Sequence, residues 1–167
     1  MQLYADQAVQ WACIALLLTA AYTDFSRRII PNALIVAGVC SGLVYHLLAA
    51  TSLPQGFMTA ISGLLAGGLL LIIPYGLSWT GAGDVKLLAA LGTWLGPVAT
   101  IKVFICATLV GGIMALTVTL RYGFERPYRP RDNAEAGKHS GLPAPGLPYA
   151  LAMGGGYLLF LAWENFR

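Results

Sequence analysis

Residues 81–97 read "GAGDVKLLAALGTWLGP" and hold a carboxylate between two strongly apolar parts of the chain. The apolar run after Asp84 ends at the helix-breaking pair Gly96-Pro97. This pattern predicts a short helix over about 85–95, which rises only about 17 Å against roughly 30 Å of hydrocarbon in a bilayer. If lipid surrounds this helix, Asp84 starts below the membrane surface.

The composition of the whole chain indicates that lipid is its solvent. Of the 167 residues, 57% are hydrophobic and 10% are charged, whereas soluble domains carry about 25% charged residues. One soluble domain of this length cannot bury so much apolar surface. The first residues, "MQLYADQAVQW", contain no Lys or Arg, so we expect no cleavable signal peptide and a retained first helix.

Six apolar segments predict an all-α polytopic membrane protein with one domain over residues 1–167. The predicted helices cover about 8–23, 32–50, 57–77, 85–95, 98–120 and 147–163. The polar, proline-rich residues 121–146 predict a mobile cytoplasmic loop. This loop either contacts lipid and sets the topology or offers a docking surface for a substrate.

The basic residues give the orientation, because Lys and Arg accumulate in cytoplasmic loops. Six spans with both termini outside place eight basic residues on the cytoplasmic side: Arg27, Arg28, Lys86, Arg121, Arg126, Arg129, Arg131 and Lys138. The same orientation brings Asp24, at the end of helix 1, to the membrane depth of Asp84. Ionisable residues at this depth are rare and usually functional, so we interpret both aspartates as candidate site residues.

Two carboxylates in a poorly solvated site resist double ionisation and share a proton, as in aspartic proteases. The neutral carboxyl can donate to a carbonyl oxygen while the ionised one takes a proton from water. A helix N-terminus favours the charged form, which makes Asp84 the better candidate for the base. Gly81 and Gly83 would permit positive φ and close backbone approach by a peptide. The alternative is that Asp84 is an ordinary N-cap after a flexible turn.

Three blocks of the sequence resemble the type IV prepilin peptidases, a family of membrane aspartic proteases that shares a G-x-G-D signature with presenilin and the preflagellin peptidases. The blocks are "DFSRRIIPN" at 24–32, "GAGDVKLLAALG" at 81–92 and "GLPYALAMGGG" at 146–156. Their order and spacing match the family, which is more specific than any one block.

The resemblance implies that Asp24 and Asp84 are the catalytic pair and that no metal or cofactor is needed. It implies removal of a short basic leader from a prepilin or pseudopilin precursor, after a glycine, in a bacterial inner membrane with the active site facing the cytoplasm. Many members carry a cysteine-containing domain between the first two helices and also N-methylate the product. Here that connection is about eight residues without cysteine, so we expect a peptidase without methyltransferase activity, similar to the compact, six-helix Tad/Flp-type branch.

Neighbouring residues have expected roles in shaping the site. Arg27 and Arg28 would contact an acidic residue of the mature pilin or lipid phosphate. Lys86 points about 200° away from Asp84 on a regular helix, so we expect no salt bridge between them. It would instead contact substrate or phospholipid, or extend to the interface.

Two proline-containing pairs complete the expected site. Pro31 and Asn32 would start helix 2, with Asn32 satisfying loop backbone groups near Asp24. Pro148 and Tyr149 would start helix 6 and either line the cleft or pack against other helices.

The remaining glycines, cysteines and histidines are expected to have structural roles and not catalytic or metal-binding ones. Gly63 and Gly67 form a G-x-x-x-G pattern typical of close helix packing, with a dimer interface as the alternative. We expect close packing at Gly154–Gly156 as well. Five further residues are not expected to act as metal ligands or catalytic bases: Cys13, Cys40, Cys106, His46 and His139. The cysteines are expected to be buried as small apolar residues.

The expected partners are the precursor substrate and the lipid bilayer, with no nucleic acid; homo-oligomerisation is left open. Two other function classes remain. A small proton-coupled transporter would use the two aspartates as proton carriers. A non-enzymatic membrane subunit of a pilus or secretion system would tolerate substitution of both.

Overall fold

A computed structural model of the chain describes residues 2–27, 30–77, 80–122 and 149–166. In this part of the chain there are five helical elements and no strand: α1 Gln2–Arg27, α2 Asn32–Ala49, α3 Leu53–Gly76, α4 Ala82–Tyr122 and α5 Tyr149–Asn165. The all-α prediction is confirmed. Of the predicted loop 121–146, the first two residues complete α4, and 123–146 lie outside the described residues.

The long element α4 is broken at Gly96, where the backbone has φ 74° and ψ 172°. A Cβ placed on Gly92 would lie 3.3 Å from the Thr100 hydroxyl oxygen, although eight residues of continuous helix rise about 12 Å. The chain therefore folds back sharply at Gly96 and Pro97. The predicted helix break is confirmed, and it divides α4 into a first arm, 82–95, and a second arm, 97–122.

Several helix ends differ from the prediction. α1 extends from Gln2 to Arg27, because the polar residues flanking its apolar centre include good helix formers. α3 starts at Leu53, with a proline in its first turn, where the missing N–H costs no hydrogen bond. The first arm starts at Ala82, so it includes Asp84 and rises about 21 Å.

The contacts between neighbouring helices show which of them run parallel and which run antiparallel. α2 runs parallel to the first arm, α3 runs antiparallel to it, and α5 runs antiparallel to the second arm. The contacts are Gly38 with Ala90 and Gly42 with Trp94 for α2, Gly63 with Gly92 and Gly67 with Leu88 for α3, and Gly156 with Ala107 and Gly111 with Ala152 for α5. The ends of α1 and α3 and the starts of α2, α4 and α5 consequently meet at one end of the bundle.

Glycines let α3 approach the first arm at backbone distance. A Cβ on Gly63 would collide with the carbonyl group of Gly92, and one on Gly67 with the carbonyl group of Leu88. The predicted close packing of the G-x-x-x-G pattern is confirmed. This face of α3 is occupied by α4 of the same chain.

The bundle surface is apolar, as expected for an integral membrane protein. Large hydrophobic side chains such as Trp11, Leu48 and Ile73 are exposed on different helices. Among the described residues, three segments are long and apolar enough to cross a membrane: Asn32–Ala49, Leu53–Gly76 and Ala82–Thr117. Six spanning helices with both termini outside remain a prediction.

The cysteines are free, and only part of their predicted burial is observed. Cys13 is buried, Cys106 is partly buried, and Cys40 is exposed on the outer face of α2. Burial was therefore wrong for Cys40, because an apolar residue in a membrane helix can face lipid as readily as the core.

The contact between α3 and the first arm generates a matched test. We expect Gly67→Ala to destabilise the protein by about 1–3 kcal/mol, because the methyl group forces the two backbones apart. Gly68→Ala has only an ordinary contact, 3.9 Å from the Ala89 methyl, and should be neutral or up to about 1 kcal/mol stabilising. Unfolding of the detergent-solubilised protein, followed by circular dichroism, measures both. Equal losses of stability in the two variants would contradict this packing.

Candidate active site

The candidate site lies at the end of the bundle where α1 ends and α2 and α4 begin. Asp24 is in the last turn of α1, and Asp84 is the third residue of α4. Ile30, just before α2, lies against Gly83, since a Cβ on that glycine would be 3.3 Å from the isoleucine Cδ1. Segments far apart in sequence are thus brought together here.

The carboxylate of Asp84 forms a capping hydrogen bond at the start of its own helix. Its Oδ2 accepts a hydrogen bond of 3.1 Å from the backbone N–H of Gly81, and its own N–H donates to the Gly81 carbonyl oxygen at 3.1 Å. This is the side-chain half of a capping box, in which the third helical residue reaches back to the residue before the helix. The alternative that Asp84 is the N-cap is wrong, because α4 starts earlier than predicted and Gly81 precedes it.

Gly81 and Gly83 matter because they lack a side chain, not because they adopt an unusual backbone angle. Positive φ was expected at Gly81 and Gly83, but among the described residues the glycine with positive φ is Gly96. A Cβ on Gly81 would lie 3.3 Å from Oδ2 of Asp84. Gly81 therefore leaves room for the carboxylate to fold back on the helix start, and Gly83 leaves room for Ile30.

Asp24 is close enough to Asp84 for the negative charges of the two side chains to repel each other. Both residues are partly buried, so little water intervenes to screen the repulsion. The two carboxylates thus lie in one part of the bundle, contributed by helices that are distant in sequence.

Lys86 links the start of α4, which carries Asp84, to the start of α2. Its Nζ donates a hydrogen bond of 3.0 Å to Oδ1 of Asn32. The expectation that Lys86 turns away from Asp84 agrees with this contact. The side-chain oxygen of Asn32 accepts this bond, and the expectation that Asn32 satisfies loop backbone groups stays a prediction, because residues 28 and 29 of that loop lie outside the described residues. Pro31 is the N-cap of α2, so this pair does start the helix as expected.

Thr80 is a residue of the site that the sequence did not single out. Its Oγ1 is buried directly before the Gly81–Asp84 turn and has no hydrogen-bond partner among the described residues. Threonine is an ordinary residue at a turn, so the sequence carries no signal for it. A buried hydroxyl of this kind can bond to water or to a bound group.

Other expected site residues fall outside what the structure describes. Arg28 and Pro148 are not among the described residues, and the side chains of Arg27 and Tyr149 are not described. His46 lies away from the site, because its Nε2 is 3.0 Å from the carbonyl oxygen of Trp94, towards the opposite end of the bundle; His139 is outside the described residues. Within the described ranges, no three His, Cys, Asp or Glu side chains gather as a metal site would require.

Comparison with known proteins identifies the family. Residues 11–116, which include both aspartates, match the type IV leader peptidase family. A prepilin leader peptidase/N-methyltransferase of Aeromonas hydrophila is 33% identical over 120 residues, which cover 66% of this chain and 38% of that protein. The enzyme of the same name from Burkholderia pseudomallei strain 1026b is 33% identical over 124 residues, which cover 69% of this chain and 39% of that protein.

A third relative carries a different name. The type 4 prepilin-like proteins leader peptide-processing enzyme of Escherichia coli is 31% identical over 124 residues, covering 65% of this chain and 44% of that protein. The chain thus spans about two fifths of the length of these relatives. No solved structure matches it significantly. The match over residues 11–116, with Asp24 and Asp84 inside it, shows that this chain belongs to the type IV leader peptidase family.

Proposed function

We propose that this protein is a membrane-embedded aspartic endopeptidase that removes the leader peptide from prepilins, with Asp24 and Asp84 as its catalytic pair. The observation that carries the proposal is that two half-buried carboxylates, from helices distant in sequence, lie within electrostatic range of each other. Membership of a leader peptidase family supplies the reaction class.

The chemistry follows from the shared proton. The protonated carboxyl donates a hydrogen bond to the oxygen of the scissile carbonyl, while the ionised carboxylate takes a proton from water as the water oxygen attacks the carbonyl carbon. In the collapse of the tetrahedral intermediate, a proton passes to the amide nitrogen and the C–N bond breaks. The products are a leader with a new carboxylate and a mature chain with a new amine. The two roles belong to the pair as a unit.

The arrangement at Asp84 suits this cycle. Its Oδ2 is held by the Gly81 N–H, and the start of a helix stabilises negative charge. The Thr80 hydroxyl, buried next to this turn, is a further group that can bond to water or to a substrate carbonyl. We place the site at the cytoplasmic face, because Lys86 lies at this end and basic residues favour that side.

The short connection between α1 and α2 narrows the substrate class. The connection between α1 and α2 covers only residues 28–31, which leaves no room for a domain at that point. We therefore assign the chain to the compact Tad/Flp-type branch, acting on Flp-like prepilins without methylating the product.

The first test removes each carboxylate in turn. Asp24→Asn and Asp84→Asn should each reduce leader removal by at least about 100-fold, because general acid–base catalysis by a positioned group contributes about 10²–10⁴-fold. Co-expression with an Flp-like prepilin, with processing followed by gel mobility, measures the loss.

Glu164→Gln is the matched control, because this exposed carboxylate pairs with Lys102 towards the opposite end of the bundle. It should leave processing unchanged. All three variants must be found in the membrane fraction. If leader removal continues in both single aspartate variants, the proposal is refuted and a non-enzymatic assembly subunit is favoured.

The second test concerns the Lys86–Asn32 hydrogen bond, which holds the start of α4 against the start of α2. Lys86→Met and Asn32→Ala should each lower kcat/KM by about threefold to tenfold, as expected for a charge-assisted hydrogen bond partly open to solvent. The double variant should lose no more than either single one. Asn32→Asp keeps an acceptor oxygen and should retain activity. Additive losses would show that the two residues act separately.

The third test concerns methylation. Mass spectrometry of the mature pilin should show an unmodified terminal amine when this protein is the only prepilin peptidase in the cell. A terminal methyl group that disappears when the gene is deleted and returns with the wild-type protein would refute the peptidase-only assignment.

A further inference from the structure

The hydroxyl group of Thr80 is buried without a hydrogen-bond partner next to the candidate catalytic pair. Protein atoms cover its Oγ1, and none of the described residues bonds to it. The residue as a whole is only partly buried, so the hydroxyl lies on its inner side. Such a group has lost its hydrogen bonds to water and gained none in return, which is unfavourable. Buried polar groups in this state are rare and require a physical reason.

The start of α4 does not supply that reason. Gly81 precedes the helix and donates its N–H to Oδ2 of Asp84, while the N–H groups of Asp84 and Val85 donate to the Gly81 carbonyl oxygen. Thr80 thus holds the place directly before the capping residue, where an apolar side chain is common because it can pack on the first turns of the helix. A valine, of nearly the same shape, would serve there without leaving a polar group unpaired.

Threonines farther along α4 show how this side chain is ordinarily satisfied. The hydroxyl of Thr93 donates to the carbonyl oxygen of Ala89 at 3.1 Å, and that of Thr100 donates to the carbonyl oxygen of Gly96 at 2.6 Å. Each acceptor lies one turn earlier in the chain, as is usual for threonine inside a helix. Thr80 precedes the helix, so this kind of acceptor is not open to it.

Covalent geometry places the Thr80 hydroxyl close to the Asp84 carboxylate. The Gly81 nitrogen lies 3.1 Å from Oδ2 of Asp84, and Cα of Thr80 lies about 2.4 Å from that nitrogen. With roughly 2.4 Å more between Cα and Oγ1, the two oxygens are at most about 8 Å apart. A peptide backbone advances about 3.3 Å per residue. A peptide cut beside Asp84 therefore has backbone carbonyl groups within two or three residues of the scissile bond that can reach this hydroxyl.

A peptide bound here needs hydrogen-bond donors. Its backbone carbonyl groups lose water when they enter a site that is backed by apolar side chains such as Leu87 and Leu91. In the proposed mechanism the two carboxyl groups act on the scissile bond and on water, so neighbouring carbonyl groups of the peptide require other donors. The hydroxyl of Thr80 can rotate towards an acceptor that comes within reach.

We propose that Thr80 is a substrate-binding residue, whose hydroxyl donates a hydrogen bond to a backbone carbonyl oxygen of the precursor close to the scissile bond. The inference rests on the proposed peptidase function and adds to its site a bond that forms only in the complex. Because Oγ1 is covered in the free protein, the bound peptide must displace the atoms in front of it. The unpaired hydroxyl of the free protein is then satisfied, which favours the complex.

Thr80→Val removes the hydroxyl and keeps the shape of the side chain. Its unfolding temperature should equal or exceed that of the wild type, because no hydrogen bond is lost in the free protein, whereas kcat/KM for precursor cleavage should fall about tenfold. Thr80→Ser keeps the hydroxyl and should stay within about threefold of the wild type. Circular dichroism of the detergent-solubilised protein measures the first quantity, and cleavage rates followed by gel mobility measure the second.

Thr93→Val is the matched control. It removes a buried hydroxyl from the same arm of α4, about 14 Å along the helix from Asp84. Its kcat/KM should equal that of the wild type. Three results would each overturn the proposal: wild-type kcat/KM in Thr80→Val, equal losses in Thr80→Val and Thr93→Val, or a clear loss of thermal stability in Thr80→Val, since the last means that the hydroxyl is already bonded in the free protein.

A binding measurement separates contact with the substrate from a role in positioning water. In the Asp84→Asn background the side-chain amide oxygen can still accept from the Gly81 N–H, and a fluorescently labelled precursor binds without being cut. Adding Thr80→Val should raise its Kd about tenfold, and adding Thr80→Ser should not. An unchanged Kd together with a lower kcat would overturn the substrate contact. Failure of the peptidase function itself gives a different result, because the wild-type protein would then leave the precursor uncut.

Discussion

The backbone contact between α3 and the first arm of α4 is the constraint on which the rest of the structure depends. In lipid, helices gain little from hiding apolar side chains from one another, so close van der Waals packing must hold them together. Gly63 and Gly67 permit this by bringing the two backbones together at the carbonyl groups of Gly92 and Leu88. The arm that carries Asp84 is thereby fixed against a helix of full membrane length, although its own rise of about 21 Å is less than the hydrocarbon thickness of a bilayer.

A few side-chain contacts at the start of the first arm hold the other elements of the site in place. Ile30 against Gly83 and Lys86 to Asn32 hold the start of α2 next to the start of α4. α1 approaches from the other side and brings the Asp24 carboxylate within reach of the Asp84 charge. The interior behind the two carboxylates is filled with apolar side chains such as Leu87 and Leu91. The two carboxylates therefore lie at one end of the bundle with an apolar interior behind them.

The sequence was sufficient for features that depend on composition and on strong local signals. Hydropathy gave the helical class, and Gly96-Pro97 gave the break in α4. It was insufficient where individual hydrogen bonds and tertiary contacts decide. The exact start of α4, and with it the position of Asp84 as third helical residue, depends on a hydrogen bond to Gly81. The partner of Asn32 depends on Lys86, more than fifty residues away. No periodicity within one segment can report such contacts.

The reversal at Gly96 has a consequence for how the protein enters the membrane. The first arm rises about 21 Å, less than the hydrocarbon thickness, and one residue separates it from a second arm long enough to span. A connection that short leaves no independent loop to translocate, so the two arms must insert together as a helical hairpin. Asp84 is then carried to its depth by the hydrophobicity of the second arm. The apolar residues after Pro97 thus help to set the position of Asp84 during insertion, although they belong to the other arm.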